Sequence, residues 1–326
     1  MKQISFYKYI STNNISLNEL HLKSDSKCKL LYTKFNDIFL HPKLWSVITK
    51  DFYIFSDFER YLSQNKHIKH IIYRQNEIKK MSQSISQIKG NYFLLGGGNN
   101  YWHLLIDFIP RLTCLKNLSY EEIKVIIPQN LPEKFFNFII KVCDLSNFNE
   151  ISFLKVNREN LIYYFESLIF TSKPDILFAS LFYEKLFSNP ITKKNDKNLY
   201  IKRGNVEKRK VLNEDEVVKF LQKYGYVAVD CADLSIEEQI KIFSEAKNII
   251  IPHGAAMANL IFVPNDTNVI EIRSNIDGDY SRSIQLKDKF NLYIFEESIK
   301  VGKELRKDII VDILKLEKLI VDKEVF

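Results

Sequence analysis

Cysteine is scarce in this chain. Four residues, Cys28, Cys114, Cys143 and Cys231, are spread over 326 positions, and none forms a C-x-x-C pair. No His/Cys cluster has zinc spacing either, so neither a disulfide framework nor a structural zinc site is expected. Reduced, mostly buried thiols are the expectation. Long apolar runs are also lacking. None approaches the roughly 20 residues that a membrane helix needs. The opening stretch from Met1 to Ile10 mixes Lys, Gln, Ser and Tyr with apolar residues, unlike a signal peptide. A soluble or peripheral protein is expected. There is no long basic run, because 47 Lys and Arg are interleaved with 40 Asp and Glu, for a net charge of +7. That pattern fits an acidic ligand or attraction to an anionic membrane surface better than a nucleic acid. Aromatic and basic residues are not interleaved on one segment, which also argues against a single-strand binder. A G-x-G-x-x-G fingerprint is missing, which counts against a dinucleotide enzyme.

The chain has ample core-forming material: 46% of it is apolar and 13% aromatic, enough for two domains of ordinary size. Its most informative stretch is I-I-I-P-H-G-A-A-M-A-N-L-I-F, Ile249 to Phe262. Branched apolar residues ending in Pro252, His253 and Gly254 read as a buried parallel strand, a tight turn and a helix N-terminus. A helix start offers unpaired N–H groups and partial positive charge, so it suits a phosphate. The flanks alternate strand and helix. Tyr226 to Val229 reads as a strand, Ser235 and Glu238 as a capping box opening a helix, and Asn268 to Ile272 as the next strand. This is a Rossmann-like unit, whose ligands sit beyond the carboxyl ends of the strands. Leu199 to Lys202 is its first strand and Asn213 its first helix cap. The polar stretch from Ser188 to Asn198 leads into it.

The first half alternates too. Tyr92 to Leu95 runs into Gly96-Gly97-Gly98 and a helix from Tyr101 to Lys116. Ile123 to Ile127 and Ser167 to Phe170 read as strands, and Pro132 to Val142 as a helix. Residues 1 to 88 are less legible, with short strands at Leu30 to Phe39 and Phe52 to Phe55 and a helix at Phe58 to Asn65. The expected domains are 1–188, 189–300, and a final segment 301–326 that carries an amphipathic helix from Asp308 to Leu319.

Three constellations carry chemistry. On the apolar helix after the glycines, His103 and Asp107 are four apart and share a face. A buried carboxylate is costly unless paired or used, so Asp107 is either a general base or a structural partner of Arg111. Arg203, with Arg209 six residues on, follows a strand and can grip phosphate oxygens; the alternative is a solvated basic loop. Glu271 ends a core strand, where it can accept from ribose hydroxyls or pair with Arg273.

In this order the motifs resemble glycosyltransferase family 61. Asn100 to Arg111 (N-Y-W-H-L-L-I-D-F-I-P-R) is similar to that family's N-Y-x-H-W-L-x-D-x-L-P-R. Leu199 to Arg203, Arg209 to Glu216, Leu234 to Gln239, Phe243 to Ala246 and Ile251 to Phe262 follow its later motifs, although Ile251 stands where glycine is common. The resemblance implies a GT-B fold of two Rossmann-like domains facing a central cleft, with the final helix packing back on the N-terminal domain. It implies an inverting transferase that takes a nucleotide-sugar, UDP by preference, and needs no metal or other cofactor. Asp107 would be the base and His103 would orient it. Arg203, Arg209, His253, Gly254, Ala255, Asn259 and Glu271 would hold the donor nucleotide. Asn100, Tyr101 and Arg111 would face the acceptor, a surface glycan or lipid-linked glycan. The setting would be cytoplasmic, peripheral to the inner membrane face. The alternative is a non-catalytic nucleotide- or glycan-binding subunit of a polysaccharide-synthesis complex.

Overall fold

A computed structural model of the chain describes residues 2–4, 9, 11–13, 15–22, 29–55, 72–118, 123–148, 151–187, 196–274, 285–286, 288–297, 299–301 and 308–326. The helix expected at Phe58 to Asn65, Cys28, and positions 188–195 of the polar stretch lie outside these. The chain divides into two units, Met1–Phe182 and Tyr183–Phe326.

The first unit is built on one mixed sheet, nine strands among the described residues. Its strands are β1 (Lys2–Ile4), β2 (Asn18–His21), β3 (Lys29–His41), β4 (Ser46–Ile48), β5 (Tyr53–Phe55), β6 (Gln87–Leu94), β7 (Ile123–Pro128), β8 (Ser152–Val156) and β9 (Tyr163–Thr171). The order β9-β6-β7-β8 is all parallel, with helical crossovers between β6, β7 and β8. This is the Rossmann-like part. The sheet then continues antiparallel from β9 into β3, which pairs with β2 and β4. Strand β3 is 13 residues long and its face is almost wholly buried. Strands β1 to β5 make up this half of the sheet, with β1 pairing β5 in parallel, and burial along both sides of β3 blurs its period-2 signal. Helix α1 (Gln75–Ser82) precedes β6, and α2 (Glu133–Leu145) follows β7, with Pro132, expected within the first turn, one residue ahead of it at the N-cap.

The path from β6 to β8 runs one way across the sheet, and β9 then returns to the other side of β6. The reversal lies between β6 and β9, so the carboxyl ends of those two strands frame a topological switch point.

Among the described residues the second unit has a five-stranded, wholly parallel sheet in the order β11-β10-β12-β13-β14. These are β10 (Lys197–Ile201), β11 (Tyr226–Val229), β12 (Ala246–Pro252), β13 (Thr267–Ser274) and β14 (Phe290–Glu297). In units of strand number this is 2-1-3-4-5, a doubly wound sheet whose switch point lies between β10 and β12. The run I-I-I-P is fully buried because β12 is central and covered on both faces. Helix α3 (Ile176–Leu186) holds the division between units; α4 (Glu214–Gln222) and α5 (Ile236–Ser244) are the first crossovers of the second unit. The capping box of α5 is formed as the sequence indicates, with Ser235 and Glu238 bonding each other's backbone.

The tail differs from its sequence reading. The helix expected from Asp308 begins instead as α6 (Ile313–Asp322), because the Asp312 side chain accepts from the N–H groups of Leu314 and Lys315 and fixes the start there. Asp308–Ile309 forms a short strand, β16, paired with β15 (Ile299–Val301). The buried face of α6, Leu316 and Ile320, packs with Val217, Phe220 and Tyr226 in the core of the second unit. Asn213 caps α4 by position, but its amide is turned to the backbone of Val311, with which it exchanges two hydrogen bonds.

Candidate active site

At the first switch point, strand β6 ends in the glycine turn. Gly96 and Gly97 adopt φ of +82° and +142°, where only glycine is comfortable. A Cβ on either would lie 3.0 Å from Phe108 or Pro128, respectively. The carbonyl of Gly97 accepts a hydrogen bond from the Trp45 indole at 2.7 Å. The glycines thus serve packing and turn geometry.

The helix that follows is not regular. Residues His103–Phe108 are π-helical and Ile109–Asn117 are 3-10. Pro110 has no N–H and its ring would collide with a carbonyl one α-turn back; widening just before it relieves that clash. The Ile109 N–H accordingly reaches the Leu104 carbonyl, five residues back. In this wider turn residues four apart fall close to one another. His103 Nδ1 stands 2.5 Å from Asp107 Oδ2. The Lys173 ammonium is 3.0 Å from the same oxygen. Asp107 is 0% exposed, Lys173 11% and His103 31%.

Lys173 went unnoticed in the sequence. It sits two residues beyond β9, whose carboxyl end lies beside that of β6, and so it meets Asp107 through sheet topology alone. The only clue available was a lone cation in Ser172-Lys173-Pro174 after an expected strand. Of the expected acceptor contacts, Asn100 is exposed and caps the helix through the His103 N–H. Tyr101 is half-buried with its ring 6.2 Å from that of Phe135. Arg111 is buried, with its guanidinium 5.3 Å from the centre of the Phe108 ring.

At the second switch point, Arg203 follows β10 and Gly254 follows β12. Gly254 has extended backbone, and a Cβ built there would lie 2.5 Å from Arg203 Nη1. The two therefore touch. Arg203 is held by its own loop: its Nε donates to the Arg209 carbonyl at 3.1 Å, and its backbone N–H donates to Glu214 at 2.6 Å. Burial, and then the like charge of Arg209, hold the Arg203 guanidinium below its ordinary pKa. Two mutually repelling cations at such a point invite an anion. The His253 N–H is tied to the Ile272 carbonyl at 2.8 Å, and its Nδ1 stands 2.5 Å from Glu271 Oε1. Glu271 is 0% exposed and His253 24%. The second carboxylate oxygen of Glu271 is buried and has no hydrogen-bond partner among the described residues.

Ala255 opens a 3-10 helix, Ala255–Phe262, where a regular helix was expected. Asn259, on its buried side, donates to Gln239 at 2.9 Å and joins this helix to α5. Arg203, Gly254, His253 and Glu271 thus converge on one strand edge, whereas the Asn259 amide is spent inside the core. Among the described residues no group of three or more His, Cys, Asp or Glu is placed to hold a metal ion, and no helix is long and apolar enough to cross a membrane.

A doubly wound α/β unit with cations and a helix start at its switch point offers a place where an anionic ligand can be held. The family described as Glycosyltransferase 61 matches residues 101–270, more than half of the chain, and the chain belongs to that family. It is a glycosyltransferase. The match includes His103, Asp107, Lys173, Arg203 and His253 and stops one residue before Glu271. No curated protein matches the chain.

Proposed function

We propose that this glycosyltransferase is inverting, takes its sugar from UDP without a metal ion, and passes it to a hydroxyl of a glycan or lipid-linked glycan. The observation that carries the reading is the meeting of Arg203 with Gly254 at the β10/β12 switch point, beside the His253–Glu271 pair. Preorganised cations and N–H groups there can stabilise the charge that develops on a departing diphosphate, the task a metal performs in other sites. Arg209 adds a second positive charge next to Arg203. On the acceptor side, the His103–Asp107 pair supplies the group that takes the hydroxyl proton.

A GT-B arrangement of the two units belongs to this proposal, as does a cytoplasmic location. Peripheral association with the inner membrane face would suit a lipid-linked acceptor and the net charge of +7. The deciding experiment is calorimetric titration of the full chain with UDP, with and without Mg²⁺, and with NAD as control. UDP binding that is indifferent to Mg²⁺ supports the reading; binding of NAD in preference to UDP overturns it. In that titration Asp107→Asn is expected to bind UDP as the wild type does, while sugar transfer from a UDP-sugar, followed separately, is lost.

A further inference from the structure

We propose that the group touching the acceptor hydroxyl is His103, and that Asp107 is a positioning residue behind it, steadied by Lys173. This rests on the transferase reading above and reverses the roles that the sequence motif suggests for the pair.

A base must meet an incoming hydroxyl within hydrogen-bond reach. Asp107 is 0% exposed, and its Oδ2 already faces both the His103 imidazole at 2.5 Å and the Lys173 ammonium at 3.0 Å. The imidazole is the most open of the three groups, at 31% against 11% for Lys173. Its Nδ1 is engaged with the carboxylate, and ring geometry turns Nε2 away from it. In a neutral imidazole one nitrogen carries the proton and the other accepts. A fixed carboxylate at Nδ1 selects the tautomer whose lone pair is on Nε2, and it stabilises the imidazolium once formed. A buried Asp does the same for His in hydrolase triads. Lys173 has a separate task. A carboxylate buried beside a neutral ring would be poorly compensated, and the ammonium offsets that cost in the resting state.

The step balances as follows. The acceptor O–H proton moves to His103 Nε2 while the oxygen forms a bond to the anomeric carbon of the nucleotide-sugar. The bond from that carbon to the diphosphate oxygen breaks, and its electron pair leaves with the diphosphate. The imidazolium donates from Nδ1 to Asp107 and loses its extra proton to solvent after the products depart.

The test uses the full chain labelled with ¹⁵N-histidine, the His103 signals being identified by their loss in His103→Gln. The expected spectrum has the proton on Nδ1 and a bare Nε2, and Asp107→Asn abolishes that preference. A proton found on Nε2, with Nδ1 bare, would overturn the proposal. In parallel, UDP release from UDP-glucose, UDP-xylose and UDP-N-acetylglucosamine is followed with water as acceptor. His103→Ala is expected to slow release by about 10² to 10⁴-fold at unchanged UDP affinity, with part of the rate restored by added imidazole. Asp107→Glu is expected to recover part of what Asp107→Asn loses. A His103→Ala rate within a few fold of wild type would return the base to Asp107. A wild-type chain that neither binds UDP nor releases it would count against the donor assignment instead, and leaves the tautomer result to decide the pair.

Discussion

His253 stands to Glu271 as His103 stands to Asp107: in each pair an imidazole Nδ1 lies 2.5 Å from a carboxylate oxygen, and the carboxylate is 0% exposed. The two pairs occupy the switch points of two separate sheets. In the second unit the exposed partner lies beside Arg203 and the helix start, where a diphosphate would be held. The Nδ1 contact allows Glu271 to orient His253. Glu271→Gln replaces a charge-assisted hydrogen bond by a neutral one, a change of about 1.5–3 kcal/mol in buried settings. UDP affinity is expected to fall by roughly tenfold or more, read by calorimetry. His253→Ala should weaken binding to a similar degree, and the double variant should add little to either. Fully additive losses would show that Glu271 meets the nucleotide on its own account.

Gly254→Ala separates the site from the fold. The backbone of Gly254 is extended, a conformation that any residue adopts, so alanine is not strained there. Its Cβ, however, would lie 2.5 Å from Arg203 Nη1 and 2.9 Å from Cζ. The obstruction is the far end of a long side chain, which can swing aside. Thermal stability is expected to change by less than about 1 kcal/mol. UDP affinity is expected to fall about as far as in Arg203→Ala. A large drop in melting temperature with unchanged affinity would place the contact in the core rather than the site.

The second unit was largely legible because its signals are local. An apolar run broken by Pro-His-Gly, a capping box at Ser235 and Glu238, and cations after a strand each announce themselves within a few residues. Expected and observed strands coincide at Tyr226 to Val229. What escaped were contacts made by topology. Lys173 meets Asp107 only because β9 returns beside β6, which no spacing reveals. Strand β3 is buried along most of both sides and lacks clear alternation, so Leu30 to Phe39 was legible as a strand but its pairing with β9 was not. The Asn259–Gln239 hydrogen bond is of the same kind: the motif placed Asn259 near the ligand, and only the fold shows its amide donating to Gln239.

Asn259 therefore has a measurable signature. Its amide donates to Gln239, whose own amide donates to the Cys231 carbonyl at 2.9 Å, a buried chain linking the 3-10 helix, α5 and the loop before it. Asn259→Leu would leave Gln239 short of a partner, at a cost of about 1–3 kcal/mol. A lower denaturation midpoint is expected in urea. UDP affinity, measured well below that midpoint, should stay within about twofold. An affinity loss without destabilisation would restore Asn259 to the nucleotide site.

The terminal helix offers the plainest test of how the second unit is held together. Leu316, Ile320 and Val325 are each fully buried in a cluster that includes Tyr200 of β10, Tyr226 of β11, Ile250 of β12 and Val217 of α4. The Tyr226 hydroxyl donates to the Val325 carbonyl at 2.7 Å. Burial of that phenol pushes its pKa well up, so it keeps its proton across the physiological range. Leu316→Ala removes the central apolar contact and leaves a cavity, a change that costs about 2–5 kcal/mol in a well-packed core. The exposed Leu314, on the opposite side of the same helix, provides the control, and Leu314→Ala is expected to shift stability by no more than about 0.5 kcal/mol. Because β10 and β12 carry Arg203 and Gly254, loosening this core should also lower UDP affinity at temperatures near the transition, while the 25 °C affinity of the folded fraction is preserved. Equal midpoints for the two variants would mean that α6 is not part of the folding unit.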